Sequence, residues 1–428
     1  MFELLASVDT SCEESALVER IAELERVKCA AAAGQARAAA ALDAARRAAE
    51  AAAGMPAARR GRGVASEIAL ARRDSPARGN RHLGFAKALV HEMPHTLAAL
   101  ETGVLTEWRA TLIVRESACL DVEDRRALDA ELCSESRSLD GMGDARVAAA
   151  AKAIAYRLDP RAVVDRAAKA ATERTVSIRP APDTMTYLTA LLPVAQGVSV
   201  YAALRREADT CVDGRPRGQV MADALVERVT GRSAAVATPI AVNLVLSDET
   251  LMGGSSAPGD VYGYGPIPAA VARELVSSAV GDERSRATLR RLYARPVSGA
   301  LVAMESRARL FPRGLAAFIR LRDQRCRTPY CDAPIRHHDH ARPWVAGGPT
   351  NAGNGLGLCE RCNYVKEVAG WLVTPDVDEK SRHTAEFTTP TGTRYRSGAP
   401  PLPGTLARMD ISEMEVAIEL AFSSLHAA

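Results

Sequence analysis

The sequence predicts a mainly α protein that passes through an α+β region into a small, metal-stapled C-terminal module. Three observations predict it. An Ala-rich run leads into amphipathic segments of helical length; β-like segments begin only after residue 174; and four of nine cysteines fall in two close pairs within one short stretch.

Residues 1–56 read as one long helix. Glu19, Arg20, Glu23, Glu25 and Arg26 line an exposed side, 16 of the 24 residues from Ala30 to Ala53 are Ala, and Gly54, Met55 and Pro56 end the run. Self-association through this helix is one expectation, and the basic run Arg59 to Arg62 after it reads as a solvated linker. Residues 57–173 are punctuated by Asp74-Ser75-Pro76, Met93-Pro94, Thr102-Gly103, Asp140 to Gly143 and Asp159-Pro160, each a cap or a breaker. A helical bundle is expected there. Over 174–305 the pattern becomes α+β, continuous with the bundle: strands at Thr175–Arg179, Met185–Leu192 and Ile240–Leu246, helices at Val194–Cys211, Gln219–Thr230 and Ala269–Ala279. The run Gly263 to Pro268 lacks the Lys and Ser/Thr ending of a phosphate loop and reads as a turn into the last helix.

Lys and Arg total 55 against 52 Asp and Glu, and a net charge of +3 over 428 residues says little about nucleic acid by itself. Its distribution says more. From Arg313 to Leu372 nine basic residues face five acids, a net +4 gathered around the paired cysteines. No stretch approaches 18 uninterrupted apolar residues and the first residues lack a basic-then-apolar pattern, so no membrane partner is expected and the location is read as cytoplasmic. The scattered Cys12, Cys29, Cys119, Cys133 and Cys211 read as small buried hydrophobes.

Cys326 and Cys331 have four residues between them, Cys359 and Cys362 have two, and the pairs are 27 residues apart. Such spacing places four thiolates on one tetrahedral zinc, a structural one, because the four close its shell to water. Between the pairs stand His337, His338, Asp339 and His340. On a strand His338 and His340 share one face, His337 and Asp339 the other. A carboxylate for a hard cation, an imidazole to take a proton from water and nearby basic groups for phosphates together point to metal-assisted phosphate chemistry.

The order Asp339-His340, Trp344, Gly347-Gly348-Pro349-Thr350, Asn354, Leu358-Cys359, Cys362-Asn363, Lys366 resembles the HNH endonuclease motif with its ββα-metal fold, in a domain spanning 306–398. Residues 399–428 remain as a C-terminal linker and helix. The upstream helices, with Ile240 to Asp248 and Gly263 to Pro268, are similar to actinobacterial proteins that join a domain of unknown function (number 222) to a C-terminal HNH domain. The resemblance implies a metal-dependent DNA endonuclease in which His340 is the general base, Asp339 a metal ligand and Asn354 the residue that holds the loop. Asn363 stands where the motif ends in His, a departure that favours Mg2+ or Mn2+ over zinc or nickel. His337, on the Asp339 face, is either a compensating ligand or a residue that supports a ligand or touches phosphate. Arg336, Arg342 and Lys366 are expected phosphate contacts by their proximity to the motif. Two other readings stay open: an inactive zinc-stapled DNA-binding module, and a helical interaction protein with an accessory nuclease.

Overall fold

The structure is a computed structural model that describes residues 13–135, 141–211, 214–233, 244–261, 264–281, 310–377 and 382–402, together with Leu5, Leu139 and 305–306. The expected C-terminal helix and Cys12 lie outside the described residues. The chain folds as two compact units, Met1–Arg174 and Thr175–Ala428. The 174–305 segment therefore groups with the C-terminal region, where the sequence suggested continuity with the bundle.

The first unit is a helical bundle: α1 (Glu14–Ala52), α2 (Val64–Ala71), α3 (Gly79–His91), α4 (Pro94–Glu101), α5 (Glu107–Glu116), α6 (Val122–Cys133), α7 (Asp144–Leu158) and α8 (Pro160–Thr172). Cys29, Ala32, Ala33, Ala36, Ala39 and Ala40 recur every three or four residues along α1 and form its buried stripe. Their small side chains let α3 and α4 lie against it. Polar residues start the shorter helices. The Thr106 hydroxyl accepts from the Arg109 N–H, Asp121 from Asp124 and Asp159 from Ala162, while Pro94 and Pro160 open their helices without losing a hydrogen bond. The core joins Leu89, Met93, Leu100, Ile113, Leu128 and Val147. Cys29 and Cys133 are buried as expected, whereas Cys119 and Cys211 are only half-buried.

The second unit begins with an antiparallel hairpin, β1 (Thr175–Pro180) on β2 (Thr186–Leu191), followed by α9 (Val194–Thr210) packed on α10 (Arg217–Thr230). A small sheet of β3 (Leu244–Val245), β4 (Gly259–Val261) and β5 (Gly265–Ile267) carries α11 (Asp248–Leu251) and leads into α12 (Ala269–Gly281). Of the strand expected at 240–246, residues 240–243 lie outside the described ones.

The module that follows carries the candidate site. After β6 (Glu305–Ser306) and α13 (Arg313–Asp323), β7 (His337–His340) pairs antiparallel with β9 (Gly355–Leu358), His337 opposite Leu358 and His340 opposite Gly355. Their connection holds β8 (Thr350–Asn351), paired with β6, and α14 (Glu360–Lys366) follows β9 directly. A meander of β10 (Leu372–Val377), β11 (His383–Thr388) and β12 (Arg394–Gly398) completes it. Both α13 and α14 pack against β7. A Cβ at Gly355 would stand 2.4 Å from Ile319 Cδ1, so glycine there allows α13 to approach β9. Leu356, Leu358, Val373, Ala385 and Phe387 form the core with the four paired cysteines. No helix among the described residues is long and apolar enough to cross a membrane.

Candidate functional site

The cysteine cluster is assembled by local turns. The Cys326 N–H donates to Ala333 O and the Cys331 N–H to Thr328 O, closing a loop that turns the first pair inward. Cys359 caps α14, its Sγ accepting from the Cys362 N–H at 3.4 Å, which turns the second pair toward the first. All four thiols are free and buried, and their Sγ atoms lie within 4.8 Å of one another. Cys331 Sγ is 3.9 Å from Cys359 Sγ and 3.7 Å from Cys362 Sγ. A tetrahedron with metal–sulfur bonds of about 2.3 Å has edges of about 3.8 Å, so the cluster has the dimensions to hold a metal ion such as zinc. Four thiols this close cannot all ionise without a cation. Hydrogen bonding with Cys326 pushes Cys331 and Cys362 well above the usual thiol range and Cys359 well below it.

On β7 the alternation divides the polar residues between two helices. His338 and His340 face α13 and its approach. The His340 ring is 6% exposed, its centroid 4.7 Å from Phe311 and 5.9 Å from Trp344, and its Nε2 lies 2.8 Å from the buried Thr350 hydroxyl. His338 is half-buried, its Nε2 without a hydrogen-bond partner among the described residues. Burial, then the Arg320 charge, lowers its pKa and keeps the ring neutral.

His337 and Asp339 lie on the α14 side. The His337 ring is 6.3 Å from Tyr364, and the Asp339 Oδ2 is 2.9 Å from Lys366 Nζ. Burial works against the Asp339 charge, but the Lys366 hydrogen bond and charge, with the His340 backbone N–H, hold its carboxyl below the usual carboxylate range. Lys366 also pairs with Glu367, and only 3% of its side chain is exposed. This corrects the expectation of a surface phosphate contact, because the ammonium is drawn inward by Asp339. Arg336 and Arg342 are exposed.

Asn354, 4% exposed, ties the β7–β9 connection together. Its Oδ1 accepts from the Arg342 N–H at 2.9 Å, and its Nδ2 donates to Arg342 O at 3.0 Å and Pro349 O at 2.9 Å. A Cβ at Gly348 would sit 1.9 Å from Arg342 O and 2.7 Å from Asn354 Nδ2, so glycine is required for this closure. On α14 the Asn363 Oδ1 is buried and has no hydrogen-bond partner among the described residues. Among those residues the four cysteines alone form a group of three or more His, Cys, Asp or Glu donors close enough for one ion. His337 does not join Asp339 in such a group.

A buried charge network, not anticipated from the sequence, supports the site from behind. Asp323 accepts from Arg322 Nε at 2.7 Å, Arg327 Nη1 at 2.9 Å and the Gly357 N–H at 2.7 Å. Burial opposes its charge, yet Arg322 and then Arg327 keep its pKa low. Arg322 also donates to the carbonyls of Ala352 and Gly355, and Arg327 to those of Ser397 and His383. In sequence Arg322 and Asp323 end an amphipathic helix and Arg327 follows Cys326, all three read as surface charges, and no local signal marks them otherwise.

A family model described as a domain of unknown function, DUF222, matches residues 21–323, more than two thirds of the chain. The chain belongs to the DUF222 family. The DUF222 match runs from α1 through the end of α13 and stops at Asp323, before Cys326, β7, β9 and α14. It crosses the division between the two units. No curated protein and no solved structure matches this DUF222 chain.

Proposed function

We propose that the C-terminal module is an HNH-type endonuclease that hydrolyses DNA phosphodiester bonds. The observation that carries the proposal is the strand–strand–helix arrangement of Asp339, His340, Asn354 and Asn363, with the Asn363 amide oxygen buried and without a hydrogen-bond partner among the described residues. A buried acceptor without a donor is costly, and a bound cation would satisfy it. Asp339 and Asn363 would hold Mg2+ or Mn2+, both of which take oxygen ligands. When bound, such a cation polarises the phosphate and stabilises the leaving oxygen. His340 serves as the base: Phe311 and Trp344 flank its ring, Thr350 engages Nε2, and Nδ1 lies 3.6 Å from Asp339 Oδ1. Asn354 keeps the connection from swinging away from His340, and Arg336 and Arg342 supply exposed cations for the DNA backbone. The cysteine cluster, with zinc bound, ties the start of α14 to the loop before β7.

Plasmid nicking with Mg2+ or Mn2+ tests the proposal. His340→Ala is expected to lower cleavage by about 10²- to 10⁴-fold while DNA is still bound. Equal cutting by parent and variant would refute it. The Asp339–Lys366 pair favours a second reading, a zinc-stapled DNA-binding module without activity, because the carboxylate is already neutralised. That reading expects binding with no nicking in either metal.

A further inference from the structure

Lys366 places an ammonium on the carboxylate that a metal would use, and its surroundings allow it to leave. Its Nζ lies 2.9 Å from Asp339 Oδ2 and also meets Glu367, whose side chain is 53% exposed. A buried ammonium without a carboxylate partner is strongly unfavourable. Here one partner points inward and the other outward, so release of Asp339 leaves Lys366 paired. Three residues earlier on the same helix, and so on the same side of it, Asn363 holds its buried amide oxygen, which has no hydrogen-bond partner among the described residues. With Asp339, Glu367 and Lys366 charged, the cluster carries one net negative charge; a divalent cation turns that to one net positive charge, suited to a phosphodiester anion.

We propose that Lys366 is an internal counter-cation that competes with the divalent metal for Asp339 and moves to Glu367 when the metal binds, setting the cation concentration at which the site fills. The inference rests on the nuclease reading for the choice of metal, and its test measures binding alone.

Mn2+ is titrated into the zinc-loaded full chain and followed by water-proton relaxation. Lys366→Met should bind Mn2+ about ten-fold more tightly or better, a size set by like-charge repulsion over a few ångströms near a protein surface. Glu367→Gln, which alters a mostly exposed side chain, should bind it more weakly because Lys366 loses its alternative partner. Glu360→Gln, an exposed acid at the other end of α14, controls for loss of charge and should behave like the parent. If Lys366→Met fails to fold, the comparison of Glu367→Gln with Glu360→Gln decides. Unchanged or weaker binding by folded Lys366→Met, Glu367→Gln no weaker than Glu360→Gln, or no Mn2+ binding by any variant overturns the inference. Cleavage is scored separately: tightening without any DNA cleavage removes the nuclease reading alone, and cleavage without tightening removes this inference alone.

Discussion

His383 lies outside the β7–β9–α14 arrangement, yet its ring fixes the loop that carries Asn354. Its Nε2 donates to Gly353 O at 2.8 Å, and its Nδ1 faces Arg327 Nη1 at 3.4 Å. Burial and then the Arg322 charge push its pKa down to about 4 from 6.5. The unfolded chain therefore takes up a proton as pH falls below about 6.5, and the folded chain resists doing so until about 4. Its contribution is complete above that range and is lost as pH falls through it, on the order of 3 kcal/mol in all. Urea unfolding at pH 7.5 and at pH 4.5 should show the stability gap between parent and His383→Gln shrinking at the lower pH; a constant gap would contradict this account. Asn354→Ala should cost about 1–3 kcal/mol for each buried backbone group it leaves unpaired, the Arg342 N–H first. The same unfolding curves measure it. At Asn363 an imidazole in place of the amide should extend cleavage to nickel or zinc if the side chain is a ligand. An unchanged metal preference in nicking assays would remove residue 363 from the ligand set.

Among the elements, α14 depends most on the cysteine cluster. It has seven residues, too few to persist alone in water, and Cys359 is its cap while Cys362 lies in its first turn. Loss of one thiolate opens the tetrahedron and frees the start of the helix. Cys359→Ser should therefore lose most bound metal and lower the melting temperature of the C-terminal module, checked by elemental analysis and calorimetry on the same sample. Full zinc content with unchanged melting would show that the cluster is not the staple. The β7–β9 connection is the second dependent element, since Gly348 lets Asn354 draw Arg342 and Pro349 together.

For the whole molecule, the nine basic residues from Arg313 to Leu372 overstate the number of cations available to the DNA proposed above, although the net +4 is unchanged when three buried cations and their three acids are set aside. Arg322, Arg327 and Lys366 are buried and paired with Asp323, Asp339 or Glu367. Binding should be salt-sensitive through the outward cations. Arg336→Ala and Arg342→Ala should each reduce the slope of log affinity against log salt by about 1, read from fluorescence anisotropy over a salt series. Lys366→Met should leave that slope nearly unchanged in the absence of divalent metal.

Much of this was legible in the sequence because its causes are local. Caps and breakers at Pro94, Thr106, Asp121 and Asp159 determine where helices begin, the small-residue stripe of α1 determines which face it buries, and alternation alone assigns His337 and Asp339 to one side of β7. The spacing of Cys326, Cys331, Cys359 and Cys362 likewise determined a four-thiol cluster. Tertiary structure decided what depends on partners far along the chain. Arg322 and Arg327 look like surface charges until Ala352, Gly355, His383 and Ser397 supply their acceptors, and Lys366 looks like a DNA contact until packing of α14 on β7 puts Asp339 beside it. A charged side chain goes to the surface by default because water solvates it, and only a fold that brings opposite charge and carbonyls around it makes burial the lower-energy choice.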